Sequence, residues 1–470
     1  IYDKENQKIK LISDRYGMRL LYWYHKDGIF AWGTEVKAIL AIEDINKELN
    51  PTSYDCFMDL GYLLGENTWF KQIKLIKPAT VLEYDLNSES IKQSYYWKWS
   101  EIKPSNISFN QAVDKLGELH IQAVSKRFNP NEFIGIAISG GLDSRAIFAA
   151  LNYLYPNYKG YAYTFGIPKC DDIEIANKVI SLSKNWQHEV FFFTSSNWFQ
   201  SRIKRVWDTD GMQDMMHMHG SEFLPTIAKH ININLNGYIG GEAFGDSYQE
   251  KHKYKRLNSK MTLNIAKEIY GKHSHLIDYN SDFYDINHIE PLDFMNRSRR
   301  FINMGTTNSL TYIHQRKPQM DNKVIELIFS LPDEYRINNK LYSEMLKKYF
   351  PIYFNDIPWQ KTGKPVGIVK KPNVPTRIIN KAKREALSLL GIKSNQNYTD
   401  YPNWIRDQEV SKQLLDLLDP KNAEYARLIS DDLSKRWLEP HLKDKKVNYA
   451  SQILRAATIE VYLKQVFRSV

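Results

Sequence analysis

The sequence predicts an α/β fold: a parallel sheet with helices, a helical C-terminal part, and a β-rich domain in front. Two observations predict the sheet. An apolar strand, a glycine turn and a helix follow one another from Phe133 to Leu151. Strand and helix patterns then alternate, with Tyr161 to Gly166 and Glu189 to Thr194 as strands and Glu174 to Leu182 as a helix between them. Such alternation gives parallel strands with helices on both faces. Ligands gather at the carboxyl ends of those strands. A third observation marks the β-rich domain: short strands separated by turn residues as far as Trp97.

The elements follow in order. Lys8 to Ser13, Leu20 to Tyr24 and Ile29 to Trp32 read as strands, parted by Gly17 and the Lys26-Asp27-Gly28 turn. Glu35 to Ala41 reads as one or two helical turns, and Ile73 to Ile76 and Thr80 to Tyr84 as further strands. Pro78 and Asn87-Ser88 punctuate them. Ser108 and Gln111 fit a capping box. Ala112, Val113, Leu116, Leu119, Ala123 and Val124 then have helical spacing. The last stretch reads as helices, with Ala450 to Phe467 spaced for packing. Three domains are expected: 1–104, 105–380, and a helical extension, 381–470, packed on the second.

Composition narrows the function. The chain has 470 residues, enough for two or three domains. Its longest apolar runs, such as Val190 to Phe193, are strand-length, so no membrane span is expected. Only Cys56 and Cys170 are present, which argues against a disulfide framework and a thiolate metal site. A cytoplasmic location is expected. The net charge is +10, with basic residues clustered at Lys251, Lys253, Lys255 and Arg256 and more loosely from Lys361 to Arg384. No nucleic-acid motif accompanies them, so a solvated surface, with some lysines near phosphates, is the expectation.

The chemistry centres on Ser139-Gly140-Gly141-Leu142-Asp143-Ser144. Glycines let the backbone approach a ligand and aim its amides. The helix that follows adds partial positive charge, which suits phosphate. Asp143 beside phosphate makes sense with Mg2+ between them. A Walker A ending and a dinucleotide fingerprint are both absent. The stretch resembles the Ser-Gly-Gly-x-Asp-Ser loop of the PP-loop ATP pyrophosphatases, the adenine nucleotide α-hydrolase-like fold, which split ATP between its α- and β-phosphates. The resemblance implies ATP and Mg2+ as cofactors, with Ser139, Gly140, Gly141, Leu142, Asp143 and Ser144 around them.

Two further resemblances extend this one. Asp14 to Tyr22, then Phe30 to Ile39, is similar to the close of the glutaminase domain of asparagine synthetases. That glutaminase uses an N-terminal cysteine. Ile1 cannot replace it and Cys56 matches no nucleophile position, so this polypeptide is not expected to hydrolyse glutamine. A partner chain supplying the front of a partial glutaminase-like domain, or a homo-oligomer, is the corresponding expectation. Leu235 to Tyr248 resembles the synthetases' Leu-Ser-Gly-Glu-Gly-x-Asp-Glu-x-Phe-Gly-Gly-Tyr. There a glutamate helps handle the intermediate and an aspartate holds magnesium and pyrophosphate. Without gaps, Tyr238 and Gly241 fall on those two positions. A gapped reading gives Glu242 as the second metal carboxylate beside Asp143, with Asp246 in reserve.

The resemblance also implies an adenine contact at Phe165 and Gly166. Asp171 and Asp172 follow where that family often has an acid; a turn or helix cap is the competing reading. Gln315 to Asp321 resembles the family's Arg-x-Pro-Phe-x-Asp, and the helix from Asn322 continues it. Lys340 to Lys347 then aligns with a helix bearing the family's catalytic lysine, which stabilises charge on the α-phosphate. Ser343 stands in that place. Lys340 is the expected substitute, with Lys347, Lys348 and Lys361 behind it.

An asparagine-synthetase-like ligase is therefore implied: a carboxylate attacks the α-phosphate of ATP, and an amine or ammonia takes the acyl group as an amide. Two alternatives stand beside asparagine formation. One is a ligase of the β-lactam synthetase or lasso-peptide cyclase kind, where the substrate supplies the amine. The other is a nucleotide-binding protein that has lost catalysis. A small-molecule or peptide carboxylate is the expected partner, with no nucleic acid and no membrane.

Overall fold

The computed structural model describes residues 1–238, 240–244, 259–284, 288, 290–367 and 398–468. Its first part holds two antiparallel sheets. Strands β1 (Tyr2–Asp3), β2 (Lys8–Ile12), β3 (Tyr22–Lys26), β4 (Ile29–Gly33), β5 (Ile73–Leu75), β6 (Thr80–Asp85) and β7 (Ile91–Tyr95) run in the orders β1-β2-β6-β7 and β4-β3-β5. Strand β3 begins two residues later than its apolar pattern suggests, because its register is set by pairing with β4 through Asp27-Gly28. Positive φ at both turn residues explains that dipeptide.

The helix Pro51–Leu60 was not legible as apolar periodicity. Its ends carry the signal instead: Asn50 caps the Thr52 amide at 3.2 Å, Pro51 opens it, and Gly61 closes it at φ +81°. The Val36–Leu40 helix takes its cap from far away. Buried Asp210 accepts the Val36 and Lys37 amides at 2.7 and 3.0 Å. Burial lifts that carboxyl to about 6.

The second part is a five-stranded sheet, every pair parallel, in the order β10-β9-β8-β11-β12. The strands are β8 (Ile134–Ala137), β9 (Gly160–Gly166), β10 (Trp186–Phe192), β11 (Ile233–Leu235) and β12 (His314–Arg316). The predicted parallel sheet is therefore present. Alternate residues divide between two cores. Ile134, Ile136 and Ala162 pack with the helices Phe109–Ser125, Asp143–Leu154 and Lys340–Tyr349, while Tyr161, Tyr163 and Phe191 face Leu224 and Ile227. The Ser108–Gln111 capping box is formed from both sides. The helix Asp171–Ile180 starts three residues before the expected Glu174, because Asp171 and Asp172 belong to its first turn.

From β8 the chain steps outward through β9 and β10, then returns to β8's other side as β11. The strand order reverses there, so a crevice opens at the carboxyl ends of β8, β9 and β11. The C-terminal helix Ala450–Phe467 shares one buried cluster with Tyr22, Phe57 and Trp69 of the β-rich part and with Trp198 and Met215. It thus packs on both earlier parts, rather than on the sheet-bearing part alone. Cys56 and Cys170 are both buried and free. Among the described residues no helix is long and apolar enough to cross a membrane.

One buried group makes stability depend on pH. His120, fully buried on the Phe109–Ser125 helix, has Nε2 3.3 Å from the Ala146 carbonyl. Burial pushes its imidazole down to about 4, against about 6.5 in an unfolded chain. The unfolded state takes up the proton first. Stability is therefore full above pH 6.5 and falls as pH drops toward 4, by up to roughly 3 kcal/mol from this residue. Urea unfolding at pH 7 and pH 5 checks this. His120→Leu should show a smaller loss between the two pH values than wild type; equal losses would contradict it.

Candidate functional site

The crevice holds a cavity of about 460 Å³. Its wall is built from the Ser139–Ser144 loop after β8, from Thr164 and Phe165 on β9, from Asn236, Gly237 and Tyr238 after β11, and from His219 to Ser221. The helix Asp143–Leu154 points its N-terminus at this space and has no side-chain cap. Such an end attracts an anion.

The loop is tied partly to itself. Ser139 N–H donates to Ser144 Oγ at 3.3 Å, and Gly141 N–H to Ser139 Oγ at 3.2 Å. Gly140 N–H donates instead to the Asp172 carboxylate at 2.7 Å. Asp172 is thus more than a helix-start residue, because it holds the phosphate-type loop from the neighbouring helix. Burial raises its carboxyl above the usual range, against the Gly140 bond. Two predicted contacts change accordingly. Gly140 is absent from the cavity wall, since its amide serves Asp172 and a Cβ there would lie 2.6 Å from Gln360 Cβ. Leu142 also leaves the wall, because its side chain is buried in the core.

The second loop presses on the first. A Cβ on Gly237 would lie 2.8 Å from Ser144 N, and one on Gly240 only 2.3 Å from Asp143 Oδ1. These glycines are needed for the two loops to meet. Asp143 lines the cavity, and Tyr342 donates its hydroxyl to Asp143 Oδ1 at 3.2 Å. Phe244 stacks on Tyr342 at 4.1 Å and 9°. Burial and Asp143 push the Tyr342 phenol far up, so it stays a donor. Glu242 lies on the short helix Gly240–Phe244; its side chain, like Asp246, is outside the described residues.

Of the remaining predicted residues, Ser139, Gly141, Asp143, Ser144 and Phe165 come together on the wall. Gly166 does not. It packs on Cys170, and its carbonyl accepts from Phe193 N–H. Lys340 does not reach the cavity either. It is exposed, with Nζ 4.6 Å over the Phe109 ring. Residues 340 and 342 point about 200° apart around a helix, so Tyr342 at the site turns Lys340 away. Lys347 pairs with Glu344, Lys348 with Asp114, and Lys361 sits 5.4 Å over Trp359. Among the described residues the wall contains no lysine or arginine. No group of three or more His, Cys, Asp or Glu gathers among them for a metal. Asp143 with the hydroxyls of Ser139 and Ser144 still offers hard oxygen donors of the type magnesium takes with phosphate oxygens.

Sequence reasoning missed His219, because its role depends on partners far along the chain. Arg202 donates to Met215 O, to Glu222 and to Tyr401 Oη, the last at 2.6 Å. Tyr401 Oη also lies 2.9 Å from His219 Nδ1, within hydrogen-bond distance. Burial, with the charges of Arg202 and His217, keeps the imidazole neutral. His219 thus reaches the wall as a neutral imidazole whose Nδ1 side is held by Tyr401.

The approach of the two loops can be tested. Gly240→Ala forces a methyl group against Asp143. ATP-Mg affinity by calorimetry should fall by about tenfold or more, with an unchanged circular dichroism spectrum. Unaltered affinity would contradict the close approach.

Comparison with known proteins agrees with this arrangement. Residues 1–97 match the family model for a glutamine amidotransferase domain, and residues 115–301 match the model for asparagine synthase. A putative asparagine synthetase of Methanocaldococcus jannaschii is 24% identical over 54% of this chain and 50% of its own. A probable asparagine synthetase of Acanthamoeba polyphaga mimivirus is 25% identical over 57% and 49%. Asparagine synthetase 3 of Bacillus subtilis is 29% identical over 36% and 27%. The chain spans at most about half the length of these curated relatives. Two domain models in the same order as the β-rich part and the parallel sheet, with relatives of one kind, support a divergent chain similar to the asparagine synthetases.

Proposed function

We propose that the chain is an ATP-dependent amide-forming ligase that activates a carboxylate as an acyl-adenylate. The observation that carries this reading is the meeting of two loops over one cavity, Ser139–Ser144 from β8 and Gly237–Gly240 from β11, with Asp143 between them. A substrate carboxylate oxygen bonds to the α-phosphorus of ATP, and the bond to the β-phosphate oxygen breaks, releasing pyrophosphate. An amine then attacks the acyl carbon and loses a proton, and AMP leaves. Ser139, Gly141 and Ser144 bind phosphate oxygens beside the uncapped helix end. Phe165 borders the adenine. Asp143, oriented by Tyr342, is the residue to hold magnesium, which when bound offsets phosphate charge. His219 borders the acyl substrate.

A second reading keeps this chemistry and takes the amine from the substrate itself. Tyr238 favours it: this residue, in place of the family's glutamate, lines the cavity, and its hydroxyl lies 3.1 Å from where a Gly305 Cβ would stand. The described wall, neutral apart from Asp143 and Asp172, suits an uncharged acyl group more than aspartate.

Pyrophosphate release from ATP-Mg tests both readings. It should appear with aspartate and ammonia, or with a pool of cell metabolites, and should fall by at least about a hundredfold in Asp143→Ala. Stimulation by aspartate selects asparagine formation, and stimulation by another acid selects the second reading. ATP binding without release under any condition would overturn the ligase and leave a binding protein.

A further inference from the structure

A second cavity lies on the same rim of the sheet, at the carboxyl end of edge strand β12. Its volume is about 230 Å³, and its lining includes Arg19, Arg127, Arg316, Lys317, Asn303 and Thr306. Arg19 comes from the β-rich part and the others from the sheet-bearing part, so the cavity sits between them.

Its charges do not balance locally. Arg127 is paired with Asp321 at 3.0 Å, and Arg316 holds Glu132 through both of its terminal nitrogens at 2.6 and 2.8 Å. Arg19 and Lys317 have no ion pair among the described residues. Lys317 Nζ donates to Asn303 Oδ1, a neutral acceptor. Asp14 is nearby, but its carboxylate accepts the backbone amides of Tyr16, Met18 and Arg19 at 3.2, 3.1 and 2.8 Å. Burial first, and the charge of Arg19 second, push the Lys317 amine down to about 7. The charge of Asp14 works in the opposite direction and offsets these effects only in part, so the two basic groups facing this space are costly to keep charged together.

A neutral group adds a second, independent sign. Thr306 is 95% buried (5% exposed), lines this cavity, and its hydroxyl has no hydrogen-bond partner among the described residues. Buried hydroxyls are ordinarily satisfied. An anion in the cavity would neutralise Arg19 and Lys317 together, and a turn of the Thr306 side chain about its Cα–Cβ bond would bring its covered hydroxyl to the same acceptor.

We propose that this cavity is a binding site for a small oxyanion, of phosphate or carboxylate type, held by Arg19, Lys317 and Thr306. Arg19 supplies a planar fork for two oxygens and Lys317 a point charge. The site is separate from the ATP cavity and does not rest on the ligase reading. The two cavities have one wall residue in common, Gln315. Buried Gln315 accepts from Asn234 and Asn236 at 2.8 and 2.9 Å and donates to Ser309 at 2.9 Å, so it stands as a polar partition.

Calorimetry on the full chain at pH 6.5, with ionic strength held constant by sodium chloride, tests the proposal. Inorganic phosphate and succinate are the two probes, and the tighter one gives the ligand type. Binding by at least one is expected. It should weaken by about fivefold or more in Arg19→Ser and in Lys317→Met and persist in Ser139→Ala, which alters the other cavity. Arg19 is exposed, so its variant should fold even if Lys317→Met does not. No binding of either anion to the wild type would overturn the proposal. So would binding that Arg19→Ser leaves intact and Ser139→Ala removes.

Discussion

Arg145 holds the Ser139–Ser144 loop in place from behind. Its guanidinium is fully buried and donates to four main-chain carbonyls, those of Gly140, Tyr353, Ile357 and Pro358, at 2.9 to 3.4 Å. It ties the glycine turn to a segment more than two hundred residues later. Burial brings its pKa down to about 10, so it remains charged. Among the described residues these four bonds all go to neutral carbonyls, none to a carboxylate. Desolvating such an ion costs several kcal/mol, which charge-assisted bonds to oriented dipoles offset. The positive charge is therefore kept behind a loop built for anions, and it acts through a medium that screens it weakly. Gln360 N–H reinforces the tie by donating to the same Gly140 carbonyl at 3.1 Å.

The backbone frame was largely legible because its signals are local. Strand, glycine turn and helix follow one another within the Phe133–Leu151 stretch, and the nearly continuous burial along β8 and β9 matches strands covered on both faces. The Pro51–Leu60 helix was missed because its boundaries, rather than its apolar spacing, carry the signal. Side-chain direction is where the sequence ran out. Leu142 belongs to the signature but turns into the core, since an apolar residue at a helix start has a core to join. Lys340 and Tyr342 share a helix, and no spacing rule says which of them meets Asp143 until the helix is docked.

Three side chains whose contacts no motif gives share one property. Asp172, Tyr342 and His219 each act through a partner distant in sequence: Gly140, Asp143 and Tyr401. None belongs to the motif it supports. The glycines of the second loop show the same point in reverse. Gly240 is a motif letter in the sequence; in the fold it is space reserved for Asp143. A similar economy links the large parts of the molecule, where Asp210 caps a helix of the β-rich part and accepts the Trp69 indole through its own carbonyl at 3.0 Å.

The burial of both cysteines has a practical side. Burial lifts the Cys56 thiol to about 12 and raises that of Cys170 as well, so neither presents a thiolate at neutral pH. Maleimide dyes should pass the native chain by. A single cysteine introduced at an exposed position such as Tyr153 would then carry one fluorophore, without first removing native thiols. The surroundings of the helix that follows the Ser139–Ser144 loop could thus be followed in solution, molecule by molecule, in an otherwise unaltered protein.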